Sequence, residues 1–393
     1  MKIQKLLLCL GLLLAITACG SDPVQEEDLF EKHIDEITAA KTRYAVAKAE
    51  TPVLNTHYWD NVLGGDSGDA LKYDQYGEVD ELVFVAPEGT FFTLQRQIRK
   101  KTRAGVETIL YKVTTPDYTG DENLWVDGRF LDLRDARPEV TKDSVSVAKT
   151  IVTLRSYAGI PYTWHGSSAT GAPDLLDYYP PTEDLTLRTR NDWIFKGFDS
   201  IGMLYRASGG ETPLTLKELS RFGESVYFDL EDALLNGLPA EDIAPEPTED
   251  SETSDAAETP EEAPADESSP RTYTAEDKVN LLMSKLEPLD VIISGERVWI
   301  VLDNEQIIEA RYRSKFDGDV VISALYDTLS GLLQKATFAK DPFDQPEEDN
   351  SRTFSVRRYV TKSRVMVEAS KAEDAAQVKS ASESSSEDET EMP

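Results

Sequence analysis

The chain has 393 residues, 40% of them hydrophobic and 9% aromatic, which is enough for two domains with real cores and rules out a chain that is disordered throughout. Its net charge is −32, so nucleic acid is excluded as an expected partner, because phosphate binding needs a basic face. About half of that excess sits in two stretches: residues 241–267 hold twelve acids and no Lys or Arg, and the tail from Ser370 holds seven acids against Lys371 and Lys379.

The N-terminus has the architecture of a targeting segment. Lys2 and Lys5 precede an apolar run from Leu6 to Ile16, too short for a comfortable membrane span. Ile16-Thr17-Ala18-Cys19 resembles the bacterial lipobox, in which the cysteine is acylated and becomes the new N-terminus. That resemblance implies lipidation at Cys19 and a lipoprotein held on a membrane of the bacterial cell envelope. It would be the outer membrane if the cell has two, since Gly20 follows where an aspartate would retain it inside. Each buried acyl methylene adds about 0.8 kcal/mol. An ordinary secretory signal is the other reading. The only other cysteine, Cys9, leaves with the signal peptide, and lipidation consumes the sulfur of Cys19. The mature chain is therefore expected to lack any cysteine nucleophile, thiolate metal site or disulfide.

Residues 20–42 read as a polar tether, with a short helix around Leu29 to Ala40 and with His33 in solvent. Residues 43–135 read as all-β. Leu82 to Val85 ends at the turn signal Ala86-Pro87-Glu88-Gly89, Phe91 to Ile98 follows, and Thr108 to Thr114 alternates Ile109, Tyr111 and Val113 on one face. Leu124 to Leu131 closes the region, and Asn55 to Asp80 is expected to be an enlarged polar loop carrying a solvated His57.

Asp143 to Ala158 has helical spacing, with Asp143 or Ser144 as the expected cap. Pro161-Tyr162-Thr163-Trp164-His165-Gly166 follows, then a loop over 167–192. Lys196-Gly197-Phe198-Asp199-Ser200-Ile201-Gly202 opens a helix that Ser208-Gly209-Gly210 ends. Residues 239–277 are disordered by composition. They read as an insertion in a surface loop, because apolar strands resume at Leu286 to Ile293 and Arg297 to Asp303. Asp303-Asn304-Glu305 is a turn, and Gln306 to Arg311 pairs back as a hairpin. Ser323 to Leu333 reads as a helix, Thr353 to Val360 as a last strand, and 361–393 as an acidic disordered tail.

These segments carry a family resemblance. PYTWHG, GFDSIG and VWIVLDNEQIIEA resemble the nucleophile region and catalytic hairpin of the NlpC-type, papain-like cell-wall peptidases, and the Leu124–Leu131 segment resembles the last strand of bacterial SH3-type barrels. The resemblance implies an α+β chain: an SH3-like barrel over 43–135, then an NlpC-type domain over 143–360 with helices packed on an antiparallel sheet.

The family works with a cysteine at a helix N-terminus, a histidine as base and a third polar residue to orient it. Here the matching positions hold Ser200, Arg297 and Glu309. Arginine has no acceptor and stays protonated, so it cannot serve as a base. A register shift of one would put Glu296 there instead. The resemblance thus implies vestigial positions, with an Arg297–Glu309 pair in place of the original one, and Tyr162, Trp164, His165 and Asp199 along a former groove. It implies binding of peptidoglycan stem peptide or an envelope protein without catalysis. A Ser200–His165 hydrolase and a purely structural envelope protein are the alternatives. Ser200 as a helix-opening residue, Arg297 as a solvated charge and Trp164 as core are the bland readings of the same positions. No metal or cofactor is expected, since neither a calcium-loop spacing nor a phosphate loop occurs.

Overall fold

The computed structural model describes residues 37–63, 71–101, 107–138, 145–181, 184–236, 273–340 and 352–359. The targeting segment with Cys19, most of the tether with His33, nearly all of the acidic 239–277 stretch and the 361–393 tail lie outside the described residues.

The first body is one antiparallel sheet. Its strands are β1 (Thr38–Ala39), β2 (Tyr44–Ala47) and β3 (Thr51–Leu54), then, after a short helix α1 (Trp59–Leu63), β4 (Leu82–Ala86), β5 (Phe91–Lys101), β6 (Glu107–Thr114), β7 (Leu124–Asp127) and β8 (Leu131–Arg134). They run in the order β4-β3-β7-β6-β5-β2-β8, with β1 on β5. Phe84 of β4 and Ala45 of β2 are far apart in that order yet share one core with Val53, Phe92, Val113 and Val126. The sheet is therefore curled on itself. Its edge includes Thr38–Ala39, paired with Gln97 and Arg96, so the end of the expected tether helix is a strand. Within the expected polar loop, α1 buries Trp59, Val62 and Leu63, each Val or Leu worth about 1.5–3 kcal/mol. His57, expected in solvent, is half-buried with its ring 5.1 Å from that of Trp125.

The second body opens with α2 (Val147–Ser156), capped by Ser146, whose side chain accepts from the Lys149 N–H. The cap thus falls three residues after Asp143 and two after Ser144, the two expected caps. The 167–192 segment is not a loop. It contains β9 (Ser167–Ser168), α3 (Leu175–Tyr178) and α4 (Leu187–Trp193). Ala172, Leu175, Tyr179, Trp193 and Phe195 pack with Leu54, Trp59, Leu82, Val85 and Phe130 in a core shared with the curled sheet. Its apolar residues carry no clear period, and burial against a distant element fixes them.

Next come β10 (Gly197–Phe198), α5 (Ser200–Ala207), α6 (Leu216–Leu219), β11 (Glu224–Ser225) and α7 (Leu230–Asn236). A reciprocal capping box of Thr274 and Asp277 starts α8 (Ala275–Lys285), so the expected boundary at 277 falls inside a helix. There follow β12 (Asp290–Ser294), β13 (Arg297–Val301), β14 (Gln306–Ser314), β15 (Asp317–Ala324), α9 (Leu325–Lys335), β16 (Thr337–Phe338) and β17 (Thr353–Arg358). The sheet order is β11-β17-β12-β13-β14-β15, with β16 parallel to β17 and the other pairings antiparallel. The turn after β13 closes as its residues suggest, since Asp303 Oδ1 accepts from the N–H groups of Glu305 and Gln306.

This sheet is covered on both faces. Val298, Ile300 and Ile308 pack with Met203 and Leu204 of α5. Trp299, Val301 and Ile307 pack with Leu282 of α8 and Leu325 and Leu329 of α9. The chain is thus α+β, and α5 lies on one face of its second sheet.

Candidate functional site

The two motif segments lie side by side. Tyr162 bridges Phe198 in parallel, the Phe198 N–H donates to Pro161 O, and the Asp199 N–H donates to Gly166 O. The glycines make this possible. A Cβ on Gly202 would collide with the Gly166 carbonyl oxygen, and one on Gly197, at φ 148°, with the Thr163 hydroxyl. Two of the residues that define the motif are therefore required by backbone approach, independently of any chemistry.

Asp199 caps α5, its Oδ1 accepting from the Gly202 N–H at 2.6 Å. Burial raises its pKa from the ordinary aspartate value. The nearby His165 and the N–H groups of Gly202, Ile201 and His165 oppose that rise. His165 has a left-handed backbone (φ 53°), and its Nδ1 lies 2.7 Å from Leu82 O in the curled sheet. A carbonyl only accepts, so Nδ1 carries the proton in that contact.

Ser200, 7% exposed, is the first residue of α5. Its Oγ accepts from the Ala310 N–H at 2.9 Å. Pairing between β13 and β14 is formed at Ile300–Ile308 and Val301–Ile307 and stops short of Ala310. The serine hydroxyl fills that gap in the ladder. Among the described residues no hydrogen bond or ion pair joins Ser200 to His165, Arg297 or Glu309.

Arg297 and Glu309 do meet, with Nη2 2.9 Å from Oε2. Glu309 is 3% exposed, and its other oxygen takes Arg311 Nε at 2.9 Å. Arg297 also lies 4.6 Å over the Trp299 ring. Trp299 belongs to the core on the side of the sheet away from α5, so the arginine is aimed away from that helix. The three positions named from the sequence are neighbours in the fold, but they do not form one hydrogen-bonded set.

The open space lies beside them. A cavity of 310 Å³ forms where the 73–82 segment of the first body, the 161–164 segment, α4 and the β14–β15 hairpin meet. Tyr162 and Trp164 line it, whereas His165 and Asp199 do not. Tyr73, Tyr76, Glu78 and Phe316 line it as well, and sequence reasoning missed all four. The clustering of Tyr73 and Tyr76 within a polar stretch is the one signal that pointed to them. Burial, reinforced by Asp74, Asp80 and Glu296, pushes the Glu78 carboxyl up to about 7, against a smaller opposing pull from His165. Glu296, the residue one step from Arg297, is thus within electrostatic reach of Glu78 and Tyr162.

Among the described residues no group of His, Cys, Asp and Glu is arranged to hold a metal ion, and no helix is long and apolar enough to cross a membrane. No family model matches the chain, and no curated protein does. A solved structure of an NlpC/P60 family protein from Bacillus cereus aligns over 84% of this chain and 66% of its own, at 14% identity and a TM-score of 0.27. The chain therefore spans just under two thirds of that protein's length, and a likeness at this level carries no weight on fold or activity.

Proposed function

We propose that this protein is a non-catalytic binding protein of the bacterial cell envelope, taking a peptidoglycan stem peptide or an envelope protein in the cavity beside Tyr162 and Trp164. The observation that carries the non-catalytic half is the Ser200 contact: its Oγ is bound to the Ala310 N–H and, among the described residues, to no base. A serine hydroxyl attacks only when a base takes its proton, and a base must come within about 3 Å. Arg297 is engaged by Glu309 and Trp299, and among the described residues no hydrogen bond joins His165 to Ser200. The sequence resemblance of the PYTWHG and GFDSIG segments supplies the ligand class, and the aromatic cavity supplies a place for it. On this reading the targeting segment places the protein at a membrane through lipid on Cys19.

The test uses purified full chain with soluble peptidoglycan fragments. Cleavage is followed by mass spectrometry and binding by calorimetry. Binding without cleavage is the expected result, weakened by Tyr162→Ala. Cleavage that disappears in Ser200→Ala would overturn the proposal.

A further inference from the structure

The outer face of the curled sheet carries a groove that the reading above leaves unused. Tyr44 of β2 stands opposite Thr93 of β5, and Thr93 stands opposite Thr114 of β6. Their neighbours Ala45, Phe92 and Val113 point into the core, so alternation puts these three side chains in one row outside. The ring of Phe91 stacks on Tyr44, with centroids 5.9 Å apart. Two guanidiniums cover this ring pair, Arg43 at 5.5 Å from the Tyr44 centroid and Arg137 at 5.5 Å from that of Phe91. The groove they bound has a volume of 310 Å³, and Thr115 and Pro116 also line it.

Its charge is the reverse of the chain's. Net charge is −32, yet among the described residues neither Arg43 nor Arg137 meets a carboxylate. Nearby acids are held elsewhere: Asp117 accepts from the Tyr205 hydroxyl at 2.8 Å, and Asp132 pairs with Arg134. A guanidinium laid on an aromatic face is steadied there without using up its N–H fork. The fork is then free for bidentate contact with an oxyanion, and threonine hydroxyls add donors below. Two uncompensated positive charges match a phosphate dianion better than a single carboxylate.

We propose that this groove binds a phosphate group, held between Arg43 and Arg137 above Thr93 and Thr114. The proposal stands apart from the envelope-binding reading and survives its failure. The source is a soluble phosphate ester or a phosphate exposed on a lipid surface, and the two are separated by probe.

Calorimetry of the full chain with inorganic phosphate, at low salt and at a pH where the dianion prevails, tests the soluble source. Co-sedimentation with vesicles containing phosphatidic acid tests the surface source. The expected result is saturable binding of at least one probe, with a dissociation constant below about 1 mM for phosphate. Arg43→Gln and Arg137→Gln each weaken it about tenfold. Arg99→Gln, on the same sheet outside the groove, leaves it unchanged, and added salt weakens it. Both groove arginines are exposed, so the variants are expected to melt with the parent, and Arg43→Lys keeps the charge while losing the fork and part of the affinity. Absence of saturable binding to both probes, or binding that both glutamine variants retain, overturns the proposal.

Discussion

Ser200 Oγ accepts the Ala310 N–H at 2.9 Å where the β13–β14 ladder has ended, so the helix start and the strand are joined through a side chain. Removing that acceptor leaves a backbone N–H without a partner beside a buried residue. Ser200→Ala is expected to destabilise the fold by about 1–3 kcal/mol. Urea denaturation measures this. A loss below about 0.5 kcal/mol, the range of ordinary surface changes, would mean that the contact does not hold the strand.

Glu309 sits between two arginines that are much more exposed than it is, 60% for the Arg297 side chain and 40% for Arg311, against 3%. The carboxylate is the costly member to remove, because both guanidiniums lose their partner at once. Glu309→Ala is expected to cost about 1.5–3 kcal/mol, because it removes the charge-assisted hydrogen bonds of both arginines while leaving those guanidiniums in solvent. Arg297→Ala is expected to cost under about 1 kcal/mol, since its exposed head is screened and Arg311 still compensates the acid. A double-mutant cycle in urea gives the coupling. Equal losses from the two single changes would refute this asymmetry.

Glu78 gives the cavity a pH dependence with a definite sign. Its carboxyl is raised from 4.5 to about 7, mainly by burial and then by Asp74, Asp80 and Glu296. Between those values the folded chain holds a proton that the unfolded chain has released. Stability from this group is therefore full at low pH, falls as pH rises through that window and levels off above it. Glu78→Gln, which cannot ionise, should melt above the parent at about pH 8.5 and approach it at about pH 5. A gain that is the same at both pH values would show that the glutamine acts through packing alone.

What the sequence made legible was local. The Asp199 cap, the helix behind it and the Asp303 turn all depend on residues within a few positions of one another. The strands β2 and β3 escaped notice because each is four residues long and β3 contains Pro52. The 167–192 segment reads as a loop in sequence because Ala172, Leu175 and Tyr179 find their partners in the other body. The Arg297–Glu309 contact was expected, but its direction was not, because a twelve-residue spacing does not say where β13 and β14 cease to pair. The cavity was half visible, through Tyr162 and Trp164. Tyr73, Glu78 and Phe316 join it from segments too far apart in sequence for any periodicity to link them.

The joint between the bodies is itself testable, through Asp127. This carboxylate is fully buried at the end of β7. It accepts from the hydroxyls of Thr108 and Tyr179, each at 2.8 Å, and from Arg129 Nη2 at 2.7 Å. Tyr179 is the only one of these donors that comes from the second body, following α3 directly. Its side chain also packs on Trp59, with ring centroids 5.8 Å apart. Tyr179→Phe keeps the ring and removes one hydrogen bond to a charged acceptor, so a loss of about 1.5–3 kcal/mol is expected. The loss should be concentrated in α3 and α4, of which α4 lines the cavity, and amide exchange there should quicken while β5 and β6 stay protected. Uniform quickening across both bodies would instead mean that Asp127 supports the whole fold equally. If the local pattern holds, a change outside the cavity lining will loosen the α4 wall and weaken ligand binding, even though Tyr179 touches no part of the cavity beside Tyr162 and Trp164.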